Sequence, residues 1–449
     1  MKPFYQDNHT TLYCMDFRKN ELPDGSVQCV VTSPPYWGLR KYSGEQDLIW
    51  GDSDCKHQWV DSSIPKSGGV GDYEVGRVGN ALARTSSHER KESNTCSLCG
   101  DWKGAYGLEP NPEMYVQHTI EILREIRRVL RKDGCVFWNI GDSYSGGDRK
   151  TNPDKHGGLK CDAHSPTDNV PNRMIGRHPI IKPKDLCLIP FRVAIAAQED
   201  GWWVRSVIIW SKPNPMPESV TDRPTESHEY ILMLTKSKNY YWDADAVREK
   251  YSDVTINDPR VGKDISRGGI KDYKTAGVQN PSEVRARIFN NLNSGRNIRS
   301  VWEFPTQPYP HAHFAVFPEK LPEICIKAAT PEVGCCSKCG APWERITNHS
   351  YKVRAIRSPT EKQFESVGGS RPNMPFMGDR ISETLGWQPT CKCNAEKTMS
   401  IVLDPFSGAG TTLWVAKKLG RKAIGFDTSE EYCQLAVNRN RQQAMRLDL

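Results

Sequence analysis

The chain has 449 residues, a formal net charge of +7, 37% hydrophobic residues and 15 cysteines, with a mean hydropathy of -0.64. That length allows a large core, as two domains or as one with long insertions, and the polarity implies sizeable hydrophilic loops. No run approaches the ~20 consecutive apolar residues of a membrane span, and Met1-Lys2-Pro3-Phe4-Tyr5 begins no signal peptide, so a cytoplasmic protein with no membrane partner is expected.

In chain order, residues 12–16 and 27–31 read as short strands joined by the turn Leu22-Pro23-Asp24-Gly25-Ser26. The second strand runs into Thr32-Ser33-Pro34-Pro35-Tyr36-Trp37, where prolines end the ladder and two aromatics follow. Such a stretch is either a plain strand-ending turn or the wall of a pocket. Residues 61–95 are Gly-, Ser- and charge-rich without apolar periodicity and read as an insertion loop. Asn111-Pro112-Glu113 starts a helix with a cap, a proline in the first turn and an acid; Val116, Ile120, Leu123, Ile126 and Leu130 fall on one face, and Asp133-Gly134 stops it. Residues 135–140 form an apolar run of the kind buried in a parallel sheet. Residues 145–184 read as loop, 188–198 as helix, 204–210 and 230–235 as strands, and 244–300 as a small polar module or a large loop. A helix over 319–329 and a cysteine-bearing insertion over 335–393 precede a closing strand-loop-helix-strand-helix unit that opens at 400–404. Alternating strands and helices predict an α/β domain with a mostly parallel sheet.

The closing unit carries Asp404-Pro405-Phe406-Ser407-Gly408-Ala409-Gly410-Thr411-Thr412. A strand delivers an acid, two glycines let the backbone approach a ligand, and a helix starting near Thr411 presents its N-terminus. No Lys-Ser or Lys-Thr follows the glycines, which removes a Walker loop and disfavours a nucleotide hydrolase, and the dinucleotide G-x-G-x-x-G spacing is missing. The next strand, 422–427, ends on Asp427, where a doubly wound fold holds ribose hydroxyls. Together these suit a nucleoside with a charged, non-phosphate tail.

Asp404 through Thr412 resembles the S-adenosyl-L-methionine loop of amino-directed DNA methyltransferases, and Thr32 through Trp37 resembles their S/D/N-P-P-Y/F/W catalytic motif. The order, catalytic motif first and cofactor loop last, is similar to the permuted β group, as is the segment His311 to Pro322. The resemblance implies a Rossmann-like methyltransferase fold with a seven-stranded, mostly parallel sheet, one strand antiparallel, in circularly permuted motif order. It implies Ser33, Pro34, Pro35 and Tyr36 as catalytic residues and Asp404, Pro405, Phe406, Ser407, Gly408, Gly410, Thr411 and Asp427 at the cofactor, with Asp16 near the adenine. Its blocks are a catalytic half (1–243, with insertions 51–107 and 145–185), a target-recognition region (244–310) and a cofactor half (311–449, with the insertion 335–393). Arg260, Arg267, Arg285, Arg287 and Arg296 in the middle block are the candidates for contacting phosphates or guanine edges of double-stranded DNA; a solvated loop is the alternative for any one of them. A separate restriction endonuclease of the same system is the implied protein partner.

Ser before the prolines resembles the cytosine-N4 enzymes, whereas Asp there more often marks adenine-N6. The sequence has no Pro-Cys pair, which a carbon-directed cytosine enzyme would need for its thiol nucleophile. Adenine-N6 methylation, an RNA substrate, and an inactive zinc-containing nucleic-acid-binding protein stay open as alternatives. Cys55, His57, Cys96 and Cys99 flank the first insertion, and Cys336, Cys339, Cys391 and Cys393 flank the second. Each set offers four ligands for a tetrahedral, structural zinc, the alternative being reduced, partly buried thiols.

Overall fold

The structure is a computed structural model, described over residues 1–39, 46–51, 54–65, 88–145, 178–249, 296–307, 316–353 and 378–441. The chain opens with β1 (Tyr5–Gln6), β2 (Thr10–Cys14) and the fully buried β3 (Val27–Thr32). Four strands follow: β4 (Leu48–Trp50), β5 (Trp59–Pro65), β6 (His88–Cys96) and β7 (Trp102–Gly104). Helix α1 (Pro112–Val129) leads into β8 (Leu130–Ile140), and α2 (Ile189–Glu199) into β9 (Trp203–Ser211) and β10 (His228–Thr235). Beyond β11 (Val301–Glu303) come α3 (Lys320–Ala329), β12 (Cys335–Cys336), β13 (Trp343–Val353), β14 (Gly378–Pro389) and β15 (Lys397–Thr398). The chain closes with β16 (Ile401–Asp404), α4 (Thr411–Lys418), β17 (Lys422–Asp427) and α5 (Glu430–Asn440).

The main sheet runs β1-β2-β17-β16-β3-β8-β10-β9-β11. From β2 to β8 every pairing is parallel; β10 is antiparallel to both its neighbours, and β11 rejoins β9 in parallel. The sheet therefore has nine strands where seven were expected. The additions are the short edges β1, which folds back antiparallel on β2, and β11. Apolar side chains of β3, β8, β10 and β16 meet Leu321, Leu413 and Val437 of the three C-terminal helices in one buried cluster.

Two expected boundaries move. Asn111 caps α1 through a bond from the Met114 amide (2.8 Å), but the helix ends at Val129 and Asp133-Gly134 lies inside β8. The register explains this: Val27 faces Leu130 and Cys29 faces Cys135, so Arg131 to Gly134 bulge from the strand instead of breaking a helix. The stretch 61–95 is loop only in expectation at its ends, because β5 and β6 pair antiparallel there. A second antiparallel pair, β13 with β14, lies in the described part of 335–393 after β12. The 244–300 block is described only at its ends, where Glu249 bridges Arg296.

The chain divides into two compact units that are discontinuous in sequence and cut across the expected blocks. One holds Met1–Pro34, Leu123–Ile140 and Ala197–Leu449, and so the whole main sheet. The other holds Pro35–Ile122 and Gly141–Ala196, with the small sheet β4-β7-β6-β5. No described helix is long and apolar enough to cross a membrane.

Candidate active site

In the sheet unit, β3, β16 and β17 are parallel neighbours, so Ser33, Asp404 and Asp427 are delivered at the same, C-terminal end of the sheet. That end of an open α/β sheet is where ligands bind. Thr32, the last residue of β3, donates its hydroxyl to the Asp404 carboxylate (2.6 Å), which also accepts the Phe406 amide (3.1 Å). Asp404 is 1% exposed, and burial pushes its carboxyl up to about 6 against the bonds from Thr32, Thr412 and Phe406. Its side chain thus fastens β16 to β3 and shapes the loop after it.

Asp427 behaves similarly. Its two carboxylate oxygens accept the amides of Gly408 (2.9 Å) and Ser429 (2.9 Å), and burial raises it to about 6 despite those bonds. Gly408 and Gly410 take φ of 48° and 74°, a backbone that side chains disfavour, and a Cβ on Gly410 would lie 2.9 Å from Ala436. Gly410 is the N-cap of α4. Thr411 receives a bond from Arg439 (2.9 Å), and Thr412 donates to the Val31 carbonyl (3.1 Å), so both hydroxyls serve the scaffold. Pro405 is buried, and the Phe406 ring meets Trp138 edge-on at 6.1 Å. Asp16 lies two residues beyond β2, whose Cys14 pairs with Asp427, but its carboxylate is held by Arg18 at 2.8 Å.

The loop fits a nucleoside carrying a polar tail. Ser407 Oγ is buried without a protein partner among the described residues, and the space off Gly408 is open, with nothing within 4 Å of a Cβ placed there. A buried hydroxyl of that kind needs a hydrogen-bond partner.

Ser33 brings in residues that motif reading missed. Asn139 of β8 donates its amide to Ser33 Oγ (3.3 Å) and to the Glu229 carboxylate of β10 (2.8 Å). Glu229 in turn pairs with Lys212, whose ammonium lies 4.7 Å over the Trp210 ring. The signal was a lone Asn inside the apolar run 135–140 and an acid near the start of an otherwise apolar strand.

Pro34 closes the first segment of the sheet unit, and nothing among the described residues bonds to its carbonyl; in the other unit, Tyr115 donates its hydroxyl to the Pro35 carbonyl (3.0 Å). The Tyr36 ring lies close to the backbone at Gly141, where a Cβ would sit 2.8 Å from it. Trp37 donates to the Glu109 carbonyl (3.0 Å) and Gly38 to that of Gly107 (2.8 Å).

The ligand atoms of Cys55, His57, Cys96 and Cys99 all lie within 4.8 Å of one another, and so do those of Cys336, Cys339, Cys391 and Cys393. Of the five arginines expected at DNA, Arg260, Arg267, Arg285 and Arg287 lie outside the described residues. Arg296 is described, and its guanidinium pairs with Glu249 at 2.9 Å. His311 and His313 also lie outside.

Residues 27–336 and 394–438 match the profile of the N6/N4 family described as DNA methylase. The chain is 30% identical over 413 residues to the Type II methyltransferase M.SmaI of Serratia marcescens, covering 92% of this chain and 83% of that one. It is 30% identical over 419 residues to the Type II methyltransferase M.Cfr9I of Citrobacter freundii, covering 93% and 82%. Among solved structures, the cytosine-N4-specific PvuII DNA methyltransferase aligns at a TM-score of 0.46 and 13% identity, over 99% of this chain and 90% of that one. With most of its length matched, the chain belongs to the amino-directed DNA methyltransferases, the N6/N4 DNA methylase family.

Proposed function

We propose that this protein transfers a methyl group from S-adenosyl-L-methionine to the N4 amino group of cytosine in double-stranded DNA, in restriction-modification or DNA protection. The observation that carries it is Ser33 Oγ, held at the end of β3 by Asn139, at the same end of the sheet as the glycine loop. Asp427 and the backbone from Ser407 to Gly410 would hold the methyl donor, with the Ser407 hydroxyl available to its polar tail. S-adenosyl-L-methionine, when bound, supplies an electrophilic methyl on a sulfonium.

An exocyclic amine is a poor nucleophile because its lone pair is delocalised into the ring. Ser33 Oγ and the Pro34 carbonyl are acceptors for its two N–H bonds and favour the pyramidal amine, whose charge grows as the methyl arrives. Tyr36 is assigned to stacking on a base flipped out of the duplex. Position and electrostatics then carry the rate, with no covalent enzyme intermediate. Zinc belongs to this reading as a structural ion at the two cysteine clusters, outside the methyl step.

The test is incubation of the purified chain with methyl-labelled S-adenosyl-L-methionine and mixed-sequence duplex DNA, followed by nucleoside mass spectrometry. N4-methylcytosine is the expected product. N6-methyladenine would overturn the choice of base, and absence of label in DNA would overturn the activity.

A further inference from the structure

Two segments far apart in sequence repeat one local structure. In Cys96-Ser97-Leu98-Cys99-Gly100-Asp101, the Gly100 amide donates to the Cys96 carbonyl (3.0 Å), and the Cys96 amide to the Asp101 carbonyl (2.8 Å). In Cys336-Ser337-Lys338-Cys339-Gly340-Ala341, Gly340 donates to Cys336 (2.8 Å) and Cys336 to Ala341 (2.8 Å). Gly100 and Gly340 both take positive φ, 83° and 67°. The serine amide of each segment reaches across to the carbonyl of the other half of its cluster, Gln58 at 2.9 Å and Glu396 at 2.8 Å. Amides of Gln58 (3.3 Å) and Leu98 (3.4 Å) also point at Cys96 Sγ, which would support a thiolate there.

The sulfurs are placed for a metal rather than for each other. Cys55 Sγ and Cys96 Sγ are 4.0 Å apart, and Cys99 Sγ is 3.5 Å from His57 Nδ1. A disulfide needs about 2.05 Å between sulfurs. Zinc–sulfur bonds of about 2.3 Å put tetrahedral ligands about 3.8 Å apart. Four ligands with no open position describe a structural ion.

The frames around the two knuckles differ. The first leads through β7 into the residues that grip the catalytic segment, all within one compact unit. Trp50 bonds to the Gly104 carbonyl (3.0 Å), and its ring stacks on His118 at 4.3 Å. His118 pairs with Glu109 (2.9 Å), and Glu109 accepts the Gly107 amide and, through its carbonyl, Trp37. Gly107 binds Gly38, and a Cβ on it would lie 3.0 Å from the Pro35 side chain. The second knuckle lies at the opposite end of the sheet from Ser33. There Arg131 donates to the Cys339 carbonyl, a Cβ on Gly340 would meet Arg131 and Gln28, and Gln28 accepts the Ile401 amide that starts β16 (2.6 Å).

We infer that the two clusters are duplicate zinc knuckles with separate duties. The ion at Cys55, His57, Cys96 and Cys99 positions Pro35 to Gly38 for the target base, and the ion at Cys336, Cys339, Cys391 and Cys393 fastens the β13–β14 insertion to the far end of the sheet. His57 is a positioning residue in this scheme, not a catalytic one.

Metal analysis of the full chain, purified under reductant without added metal, should find two zinc ions per chain; fewer than two overturns a site. That count is independent of the methyl-transfer reading, on which only the division of duties rests. His57→Ala and Cys391→Ser should each lose one zinc. His57→Ala should lower kcat/KM on DNA at least about tenfold more than Cys391→Ser does, since a small displacement of a positioning segment costs that much or more. His57→Cys, which keeps four ligands, should keep both ions and restore activity. Equal losses from His57→Ala and Cys391→Ser, or no rescue by a zinc-loaded His57→Cys, would remove the positioning role.

Discussion

The two halves of the sheet's C-terminal end use polar side chains in opposite ways. At β16 and β17, Asp404 and Asp427 turn their carboxylates onto Thr32 and onto the amides of Phe406, Gly408 and Ser429. Both acids shape the loop backbone, which under the proposed function faces the methyl donor together with the Asp427 carboxylate. At β3, β8 and β10 the polar groups form a file across the strands, Ser33 to Asn139 to Glu229 to Lys212, that ends on a hydroxyl. One half should therefore answer mutation in the chemical step, and the other in binding and fold stability.

Ser33→Ala should break that comparison most visibly. Under the proposed function it deletes an acceptor aimed at developing charge, so kcat should fall roughly 100- to 1000-fold while the affinity for S-adenosyl-L-methionine, read by calorimetry, stays within a factor of about two. Wild-type turnover would refute the assignment. Asn139→Ala should act on the same side and more weakly. One hydrogen bond has a net worth of about 0.5–1.5 kcal/mol, so a loss of up to about tenfold in kcat is expected from a loosened Ser33 rotamer. An unchanged kcat accompanied by weaker cofactor binding would place Asn139 in the other half.

How much of this was legible in sequence follows from how far apart the partners lie. Ser33-Pro34-Pro35-Tyr36 and Ser407-Gly408-Ala409-Gly410 are contiguous, and a contiguous motif carries its own geometry. Asn139 and Glu229 become neighbours of Ser33 only through the register of β8 with β3 and β10, which no local pattern encodes. The positions of Asp404 and Asp427 were legible, but not that their oxygens bond inward. The knuckles could be read from Cys-x-x-Cys-Gly, whereas β5, β6, β13 and β14 hid in polar stretches that lack the apolar alternation by which a strand is read. The bulge at Arg131 to Gly134 imitates a helix stop, since Asp-Gly is turn chemistry in either setting.

Asp427 offers the subtlest comparison, because binding and stability should respond to pH with opposite signs. Its carboxyl stands at about 6 in the folded chain, above the ordinary 3.8. A raised carboxyl favours the folded state most below the unfolded value, and that contribution is lost as pH rises from about 4 to about 6. Glu319 works the other way: despite burial, which pushes it up, Lys418 and Arg439 hold its carboxyl below the usual range, so its contribution is lost on acidification. The useful quantity is therefore the difference in unfolding free energy between wild type and Asp427→Asn, both without ligand. It should decline between pH 4 and pH 6, the window set by 3.8 and about 6, and level off above. Under the proposed function Asp427 accepts ribose hydroxyls, and the charged carboxylate is the stronger acceptor, so over the same window wild-type affinity for S-adenosyl-L-methionine should rise with pH, and Asp427→Asn should flatten that rise. If affinity in the wild type were flat while the stability difference still declined, Asp427 would be a loop fastener like Asp404, and the ribose would have to be held by the backbone alone.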